Sequence, residues 1–255
     1  MLLVIDIGNT NIVLGCIKKE KVYFIERLST DRKKTDLEYA INIKNVLEIY
    51  HIPIEEIEGG IISSVVPQIT EVVHEAAEKL IHKPIKVVGP GVKTGLNILM
   101  DNPAQLGSDL VVDSVAAMAE HPVPLIVIDM GTATTVCVIN SKKNYIGGLI
   151  IPGVRTASDS LVNNAAQLTQ ISLDKPKRLI GTNTIDCMKS GALYGNAASL
   201  DGIINRINEE LGETCTVVAT GGLAKVVIPL CKHKDIVLDD NLLLKGLQII
   251  YEKNR

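Results

Sequence analysis

The stretch that decides the fold is residues 2–17, LLVIDIGNTNIVLGCI, in which two apolar runs flank the polar segment DIGNT at residues 6–10. Both runs are rich in β-branched residues, a pattern typical of two strands joined by a tight turn. A carboxylate at a strand end, followed by small residues, offers a ligand for hydrated Mg²⁺ and backbone N–H groups that can approach a polyphosphate. On its own the pattern is equally typical of a simple turn.

The same pattern returns in residues 125–139, LIVIDMGTATTVCVI. An ungapped alignment places Asp6 on Asp129 and Val13 on Val136. The repeat predicts two copies of one α/β domain, each with a mixed sheet flanked by helices. Since the second copy starts near the middle of the chain, we expect an N-terminal domain over residues 1–115 and a C-terminal domain over residues 116–255.

Periodicity and capping signals outline the other elements. Thr35 and Glu38 form the spacing of a capping box, which predicts a helix from there to about Tyr50. Further helices are predicted over residues 68–82, 109–120, 154–168, 184–211 and 241–253, and short buried strands over residues 60–66 and 216–219.

The composition excludes several classes of function. A formal net charge of -3 and the absence of tryptophan argue against nucleic-acid binding, which needs basic surface and aromatic platforms. Five isolated cysteines without a CxxC pair indicate a reducing compartment rather than disulfides or zinc. The apolar amino terminus is interrupted by Asp6 and has no basic start, so we expect a strand, with no signal peptide and no membrane span. The expected location is the cytoplasm.

A third motif completes the pattern of a nucleotide-binding protein. Two such loops facing each other across a cleft can hold the β- and γ-phosphates of a nucleotide, as in the superfamily of actin, hexokinase and the heat-shock ATPases. In VVATGGL at residues 217–223, Gly221 and Gly222 interrupt a buried strand, and their missing side chains would let a purine and ribose approach the backbone. Neither a P-loop nor a dinucleotide-binding glycine motif is present in the sequence.

Taken together, the motifs resemble those of the type III pantothenate kinases over essentially the whole chain. They are DIGNT at residues 6–10, NP at 102–103 with GSD at 107–109, DMGTATT at 129–135, GTNT at 181–184 and ATGGLA at 219–224. The resemblance implies two ribonuclease-H-like, actin-like ATPase domains. It also implies an enzyme that phosphorylates pantothenate to 4'-phosphopantothenate with ATP, the first step of coenzyme A biosynthesis, and a homodimer.

The resemblance assigns a role to each motif. Asp109 is implied as the general base, Asp6 as a ligand of Mg²⁺ through water, and Asp129 as the ligand of a monovalent cation, K⁺ or NH₄⁺. The implied ATP-binding residues are Asp6, Gly8, Asn9, Thr10, Asn11, Val13 and Thr132, to which the glycine motif described above adds Gly221 and Gly222. The implied pantothenate-binding residues are Met100, Gly107, Ser108, Asp109, Leu110 and Thr184.

Local physical chemistry suits two of these roles but leaves alternatives. Ser108 can cap a helix that begins there, and an acid at Asp109 would then be held ionised by the helix dipole. Thr184 either contacts pantothenate or caps the long helix that follows. Within that helix, Gly191 and Gly195 lie four residues apart, which indicates close helix packing, within the chain or across a dimer.

Two departures from the family pattern fall where pantothenate would bind. Leu110 stands where the family has arginine after Gly-x-Asp, and Met100 stands where it has tyrosine before Asn-Pro. Losing a charge-assisted hydrogen bond of roughly 1.5 to 3 kcal/mol would weaken an acidic substrate by about tenfold to over a hundredfold. Either another cation, such as Lys93 or Arg155, replaces the missing charge, or the acceptor is another small alcohol. A third reading is a non-catalytic ATP-binding accessory protein of the same fold.

Overall fold

The computed structural model describes residues 1–19 and 21–255, which form two compact units. The first unit contains Met1–Leu96, Asp101–Ala119 and Asn241–Arg255, and the second contains Asn97–Met100 and Glu120–Asp240. Each copy of the repeat is the centre of one unit. The first unit does not consist of residues 1–115 alone, because residues 241–255 at the end of the chain also belong to it.

The first unit is built on a five-stranded mixed sheet with the order β3-β2-β1-β4-β5. Its strands are β1 (Leu2–Ile7), β2 (Asn11–Lys18), β3 (Lys21–Ser29), β4 (Gly59–Ser64) and β5 (Ile85–Val87). The first three strands are antiparallel neighbours, whereas β4 runs parallel to β1 and β5 runs parallel to β4. Nearly every residue of β1 is buried, as expected for a central strand covered on both faces.

The second unit repeats this topology in a six-stranded sheet with the order β11-β10-β7-β8-β9-β6. Its strands are β6 (Asn97–Ile98), β7 (Leu125–Met130), β8 (Ala133–Ile139), β9 (Asn144–Pro152), β10 (Thr216–Thr220) and β11 (Val237–Leu238). β7, β8 and β9 are antiparallel neighbours, and β10 and β11 continue the sheet in parallel from β7. Apart from β6, strand order and directions match those of the first sheet, which confirms the predicted pair of similar α/β domains.

The two hairpins differ by one residue at the turn. β1 and β2 are joined by three residues, whereas β7 and β8 are joined only by Gly131 and Thr132. As a result Asp6 pairs with Val13, but Asp129 pairs with Thr135. The ungapped alignment of Val13 with Val136 is therefore wrong, and the residue equivalent to Val13 in the second unit is Thr135.

In the described part of the chain, seven α-helices surround the sheets. They are α1 (Asp36–Ile49), α2 (Pro67–Ile81), α3 (Ser108–Glu120), α4 (Val154–Asn164), α5 (Thr184–Leu211), α6 (Ala224–Val227) and α7 (Leu242–Lys253). The capping box at the start of α1 is confirmed, with the Glu38 carboxylate accepting the Thr35 N–H at 2.8 Å. α4 ends four residues earlier than residue 168, since the Asn164 amide donates to the Ser160 carbonyl at 2.8 Å and the chain becomes extended at Ala165.

Each sheet has its own core, which is mainly aliphatic, with Phe24 and Tyr39 in the core of the first unit. The C-terminal helix α7 adds to the first unit by burying Leu242, Leu244, Leu247 and Ile250. A Cβ at Gly246 would lie 2.1 Å from the Val112 carbonyl oxygen, so only glycine allows α7 this close to α3.

Within the described part of the chain, no helix combines the length and the apolar character needed to cross a bilayer.

Candidate active site

The turn between β1 and β2 carries the first group of predicted ATP-binding residues. Asp6 is partly buried near the end of β1, and residues 9–11 are exposed beyond it. The Gly8 N–H donates to the Asn11 carbonyl at 3.0 Å, and the Gly8 carbonyl accepts the Thr30 hydroxyl at 2.6 Å. The backbone of the turn is thus held in one shape, and residues 9–11 present their side chains to solvent.

Asp6 has a polar neighbour that sequence reasoning missed. Its register partners are Val13 on β2 and Ser63 on β4, and register partners on adjacent strands place their side chains on the same face of the sheet. A carboxylate beside a hydroxyl is an oxygen donor set that fits a hydrated Mg²⁺, which binds proteins through few ligands and keeps several waters.

A cluster of serine hydroxyls attaches the first turn of α3 to the end of β4. The Ser108 hydroxyl donates to the Ser64 carbonyl at 2.9 Å, accepts the Ser64 N–H at 3.0 Å and lies 2.9 Å from the Ser63 hydroxyl. Ser108 is the first residue of α3, and its hydroxyl forms hydrogen bonds to β4 instead of to the helix. The predicted capping role of Ser108 is therefore wrong. Its contribution is to fix the helix start to the sheet.

The next residue, Asp109, occupies a confined position in this first turn. One carboxylate oxygen accepts the Leu110 N–H at 2.8 Å, and a Cβ at Gly107 would lie 2.5 Å from the same oxygen. Burial raises the pKa of the Asp109 carboxyl, and hydrogen bonds from the Leu110 and Asp109 backbone offset this only in part. The expected effect of the helix dipole on this pKa is therefore outweighed. A side chain at 107 would force the Asp109 carboxylate to shift, so glycine at this position allows the carboxylate to stay where it is.

In the second unit, Asp129 takes the place that Asp6 has in the first. Its register partners are Thr135 on β8 and Thr220 on β10, so two hydroxyl-bearing side chains flank it on the same face. The Thr135 hydroxyl oxygen is buried and has no hydrogen-bond partner within the described residues. A carboxylate flanked by hydroxyl oxygens suits a hard monovalent cation, and the unsatisfied hydroxyl of Thr135 fits an absent ligand.

The turn that contains Thr132 is fixed by the start of α4. The Thr132 carbonyl accepts the Gly153 N–H at 3.1 Å and the Thr156 hydroxyl at 2.7 Å. A Cβ at Gly153 would lie 2.4 Å from the carbonyl oxygens of both Gly131 and Thr132. The exposed side of Thr132 is thus presented on a rigid turn, and Gly153 is a supporting residue that the sequence motifs did not reveal.

The predicted double glycine lies just beyond β10, and its two members differ. Gly221 has a φ of 96°, and a Cβ there would lie 2.4 Å from an Asp129 carboxylate oxygen and 2.5 Å from the Met130 backbone nitrogen. Gly222 is exposed, with nothing within 4 Å of the position of a Cβ. Gly221 therefore packs on the carboxylate of Asp129, whereas the space beside Gly222 is open to a ligand.

Thr184 begins α5 but does not cap it. The cap is Asn183, whose side-chain oxygen accepts the Asp186 N–H at 2.9 Å, so the capping alternative for Thr184 is wrong. Gly181 packs against the same turn, since a Cβ there would lie 2.4 Å from the Cys187 nitrogen. Thr184 is left exposed at the helix N-terminus, where backbone N–H groups favour an anionic ligand.

The two departures from the family pattern lie in different units, with Met100 in the second and Leu110 in the first. Met100 follows Leu99, whose N–H donates to the Tyr145 carbonyl of β9 at 2.8 Å. Leu110 contributes its backbone N–H to Asp109, a role that does not depend on its side chain. Of the predicted site residues, those of the first hairpin turn and those around Asp109 lie in the first unit, whereas Met100, Asp129, Thr132, Thr184, Gly221 and Gly222 lie in the second.

The residues that the sequence missed share one property. Ser63, Thr135 and Thr220 are strand residues whose meaning depends on their cross-strand partner, an aspartate in each case. Ser63 and Thr220 occupy equivalent places on β4 and β10, outside the two repeated hairpins, so the repeat over residues 2–17 and 125–139 gave no signal for either.

Comparisons with known proteins show the family to which the chain is similar. The pattern of the type III pantothenate kinase family matches residues 2–206. The type III pantothenate kinase of Halalkalibacterium halodurans is 44% identical over 254 residues, covering 100% of both chains. That of an Exiguobacterium species, strain ATCC BAA-1283 / AT1b, is 45% identical over 255 residues, again covering 100% of both chains.

A solved structure extends the likeness to the fold. The activator of 2-hydroxyisocaproyl-CoA dehydratase from Clostridium difficile, with bound ADPNP, superimposes with a TM-score of 0.57 at 12% identity. The alignment covers 99% of this chain and 94% of that one. At this identity the likeness concerns the fold alone.

Proposed function

The chain belongs to the type III pantothenate kinase family, and from this premise we propose that it transfers the γ-phosphoryl group of ATP to the primary hydroxyl of pantothenate. The product would be 4'-phosphopantothenate, formed in the first step of coenzyme A biosynthesis. The observation that carries the proposal is the confined carboxylate of Asp109, held by Gly107 and the Leu110 N–H in the first turn of α3.

Asp109 acts as the general base. A carboxyl whose pKa is raised by burial binds a proton more strongly than a free aspartate, so it is better matched to accepting a hydroxyl proton. Its oxygen that bonds to Leu110 fixes the orientation, which leaves the other oxygen for the acceptor hydroxyl. Phosphoryl transfer is catalysed mainly by positioning and charge neutralisation, so an oriented base suits this chemistry.

The nucleotide is bound by the two hairpin turns and the glycines after β10. In the first unit the residues proposed are Asp6, Gly8, Asn9, Thr10, Asn11 and Val13, and in the second unit they are Thr132, Gly221 and Gly222. Fixed backbones at both turns support this role, because preorganised N–H groups need no rearrangement when the charge of the phosphates develops.

Two cations are proposed as cofactors. Asp6 would hold Mg²⁺ through water, and Asp129 would hold K⁺ or NH₄⁺ with help from Thr135 and Thr220. When bound, these cations neutralise phosphate charge. Among the described residues, no three His, Cys, Asp or Glu side chains gather closely enough to hold a metal ion, so each site relies on one carboxylate together with hydroxyl, water and phosphate oxygens.

The acceptor is proposed to contact Met100, Gly107, Ser108, Leu110 and Thr184. Since Leu110 cannot pair with the pantothenate carboxylate, a basic residue elsewhere must do so. Lys93 and Arg155 are both exposed, and neither forms an ion pair within the part of the chain that the structure describes. The exposed N-terminus of α5 at Thr184 is a further place that favours a carboxylate.

A second candidate function is phosphorylation of another small alcohol by the same machinery. It is favoured by one observation, the apolar side chain of Leu110 beside the base, which suits an acceptor without a negative charge better than it suits a carboxylate.

We also propose a cytoplasmic homodimer. The support for a dimer is a set of exposed apolar side chains in the second unit, with Ile150 exposed by 74% and Ile180 by 77%. Gly191 and Gly195 of α5 also have open space where a Cβ would lie, so no part of the described chain packs on them. Five free cysteines fit a reducing compartment.

The test is ADP release with Mg-ATP, with and without pantothenate, in K⁺ and then in Na⁺ buffer. We expect pantothenate-dependent turnover that Asp109→Asn abolishes, while nucleotide binding, measured by calorimetry, stays nearly unchanged. The matched control is Glu75→Gln, which neutralises an exposed acid of α2 that has no partner in the described chain. Turnover retained by Asp109→Asn would refute the base assignment, and ATP binding without stimulation by pantothenate would refute the acceptor.

A further inference from the structure

We propose that Ser63 is a positioning residue, whose hydroxyl ties the base-bearing turn of α3 to β4, the parallel neighbour of the strand β1 that leads into the phosphate-binding turn. The inference rests on the proposed role of Asp109. None of the sequence motifs quoted above contains Ser63, and its role follows from strand register and hydrogen bonding.

Ser63 lies between the two functional carboxylates of the first unit. On one side it is the register partner of Asp6, because β4 runs parallel to β1 with Asp6 opposite Ser63. Adjacent strands lie about 4.8 Å apart, so the two side chains are neighbours on one face. On the other side its hydroxyl lies 2.9 Å from that of Ser108, which immediately precedes Asp109.

The direction of the Ser63 hydrogen bond follows from the capacity of Ser108. A serine hydroxyl has one donor and two acceptor positions. The Ser108 hydroxyl uses its donor on the Ser64 carbonyl and one acceptor position on the Ser64 N–H. Ser63 must therefore donate, and it fills the last position of Ser108. With all three bonds made, the start of α3 has one orientation relative to the end of β4.

The burial of Ser63 indicates that its hydroxyl is present for the hydrogen bond to Ser108 and not for contact with solvent. Ser63 has an exposed fraction of 0%, and the residues before it on β4, Gly59–Ile62, are all buried. A buried hydroxyl without a partner is unfavourable, and an apolar residue of similar size would avoid that cost. A merely structural role would be met by alanine, whereas a positioning role needs the donor that Ser108 accepts.

The neighbouring hydroxyl of Thr70 provides a matched control. It lies 2.7 Å from the Ser64 hydroxyl and donates to the Val66 carbonyl at 3.0 Å, so it belongs to the same segment but does not touch Ser108. Thr70→Val removes this hydroxyl with little change of shape. If the segment only needed its hydroxyls for stability, Thr70→Val and Ser63→Ala would have similar effects on turnover.

The experiment measures kcat and both KM values for Ser63→Ala, Ser108→Ala, the double variant and Thr70→Val, with thermal melts to verify folding. We expect Ser63→Ala to lower kcat by about tenfold or more while KM for ATP changes by less than about twofold, since misplacing a catalytic group affects the chemical step. The double variant should be no worse than the poorer single variant, because both remove one connection. Thr70→Val should keep the kcat of the unmodified enzyme.

Three results would overturn the proposal: full kcat in Ser63→Ala, an equal loss in Thr70→Val, or multiplicative losses in the double variant. Should Ser63→Ala fail to fold, Ser108→Ala tests the same connection from its more exposed end. Asp109→Asn is assayed in parallel. Turnover in Asp109→Asn would remove the base assignment itself, whereas an inactive Asp109→Asn beside a fully active Ser63→Ala would remove the positioning inference alone.

Discussion

Replacing Gly221 with alanine should destabilise the protein through two separate effects. The φ of 96° lies in the region that costs a residue with a Cβ about 1 to 2 kcal/mol. The new Cβ would also lie 2.4 Å from an Asp129 carboxylate oxygen and 2.5 Å from the Met130 nitrogen, distances that force a backbone shift. Overpacking of this kind costs about 1 to 3 kcal/mol. The sum is about 2 to 5 kcal/mol.

Urea unfolding followed by circular dichroism measures this loss. The control is Gly222→Ala, because a Cβ at Gly222 meets nothing within 4 Å, and we expect its unfolding free energy to stay within about 0.5 kcal/mol of the unmodified protein. Gly221→Ala should also raise the K⁺ concentration needed for half-maximal activity, since the Asp129 carboxylate must move. Equal unfolding free energies for the two alanine variants would refute the packing argument.

Three further predictions concern the two carboxylates and the hydroxyl beside one of them. Asp109 must be ionised to accept a proton, and burial raises its pKa above the 3.8 of a free aspartate. As the pH is lowered, kcat/KM should therefore begin to fall before pH 3.8 is reached. Activity that is constant down to pH 3.8 would contradict this. The raised pKa also means that the ionised form of Asp109 is disfavoured in the folded state. At neutral pH, Asp109→Asn should therefore unfold at the same urea concentration as the unmodified protein or at a higher one. A clear loss of stability would count against the burial argument. Thr135→Val removes the unsatisfied hydroxyl beside Asp129 and should raise the K⁺ concentration for half-maximal activity by about tenfold, which corresponds to one lost ligand contact of about 1.4 kcal/mol. The KM for pantothenate should stay unchanged. An unchanged K⁺ titration would exclude Thr135 from the cation site.

Local signals were sufficient for most of the fold. The capping box at Thr35 and the β-branched runs of both hairpins placed their elements correctly, because the energies involved act over a few residues. The end of α4 was predicted too late, because the side chain of Asn164 turns back onto its own helix. The return of α7 to the first unit has no local signal, since it depends on Gly246 admitting the helix against Val112.

The candidate site was predicted less completely than the fold. Motifs identified the carboxylates, but a motif cannot show which side chains of other strands lie beside them. Ser63 and Thr220 flank Asp6 and Asp129 only through the register of parallel strands that are distant in sequence. Thr135 flanks Asp129 because the hairpin of the second unit is one residue shorter. Ser108 was given a local capping role because its partner, Ser64, is distant in sequence.

Proton-coupled ³¹P NMR of the reaction of Mg-ATP with pantothenate tests the central claim most directly. Pantothenate has one primary and one secondary hydroxyl, so phosphorylation of the primary hydroxyl gives a phosphomonoester triplet and phosphorylation of the secondary one gives a doublet. We predict that a triplet grows as the ATP signals decay, and that Asp109→Asn shows no ester signal. Growth of inorganic phosphate alone, a doublet, or an ester triplet in Asp109→Asn would contradict the account.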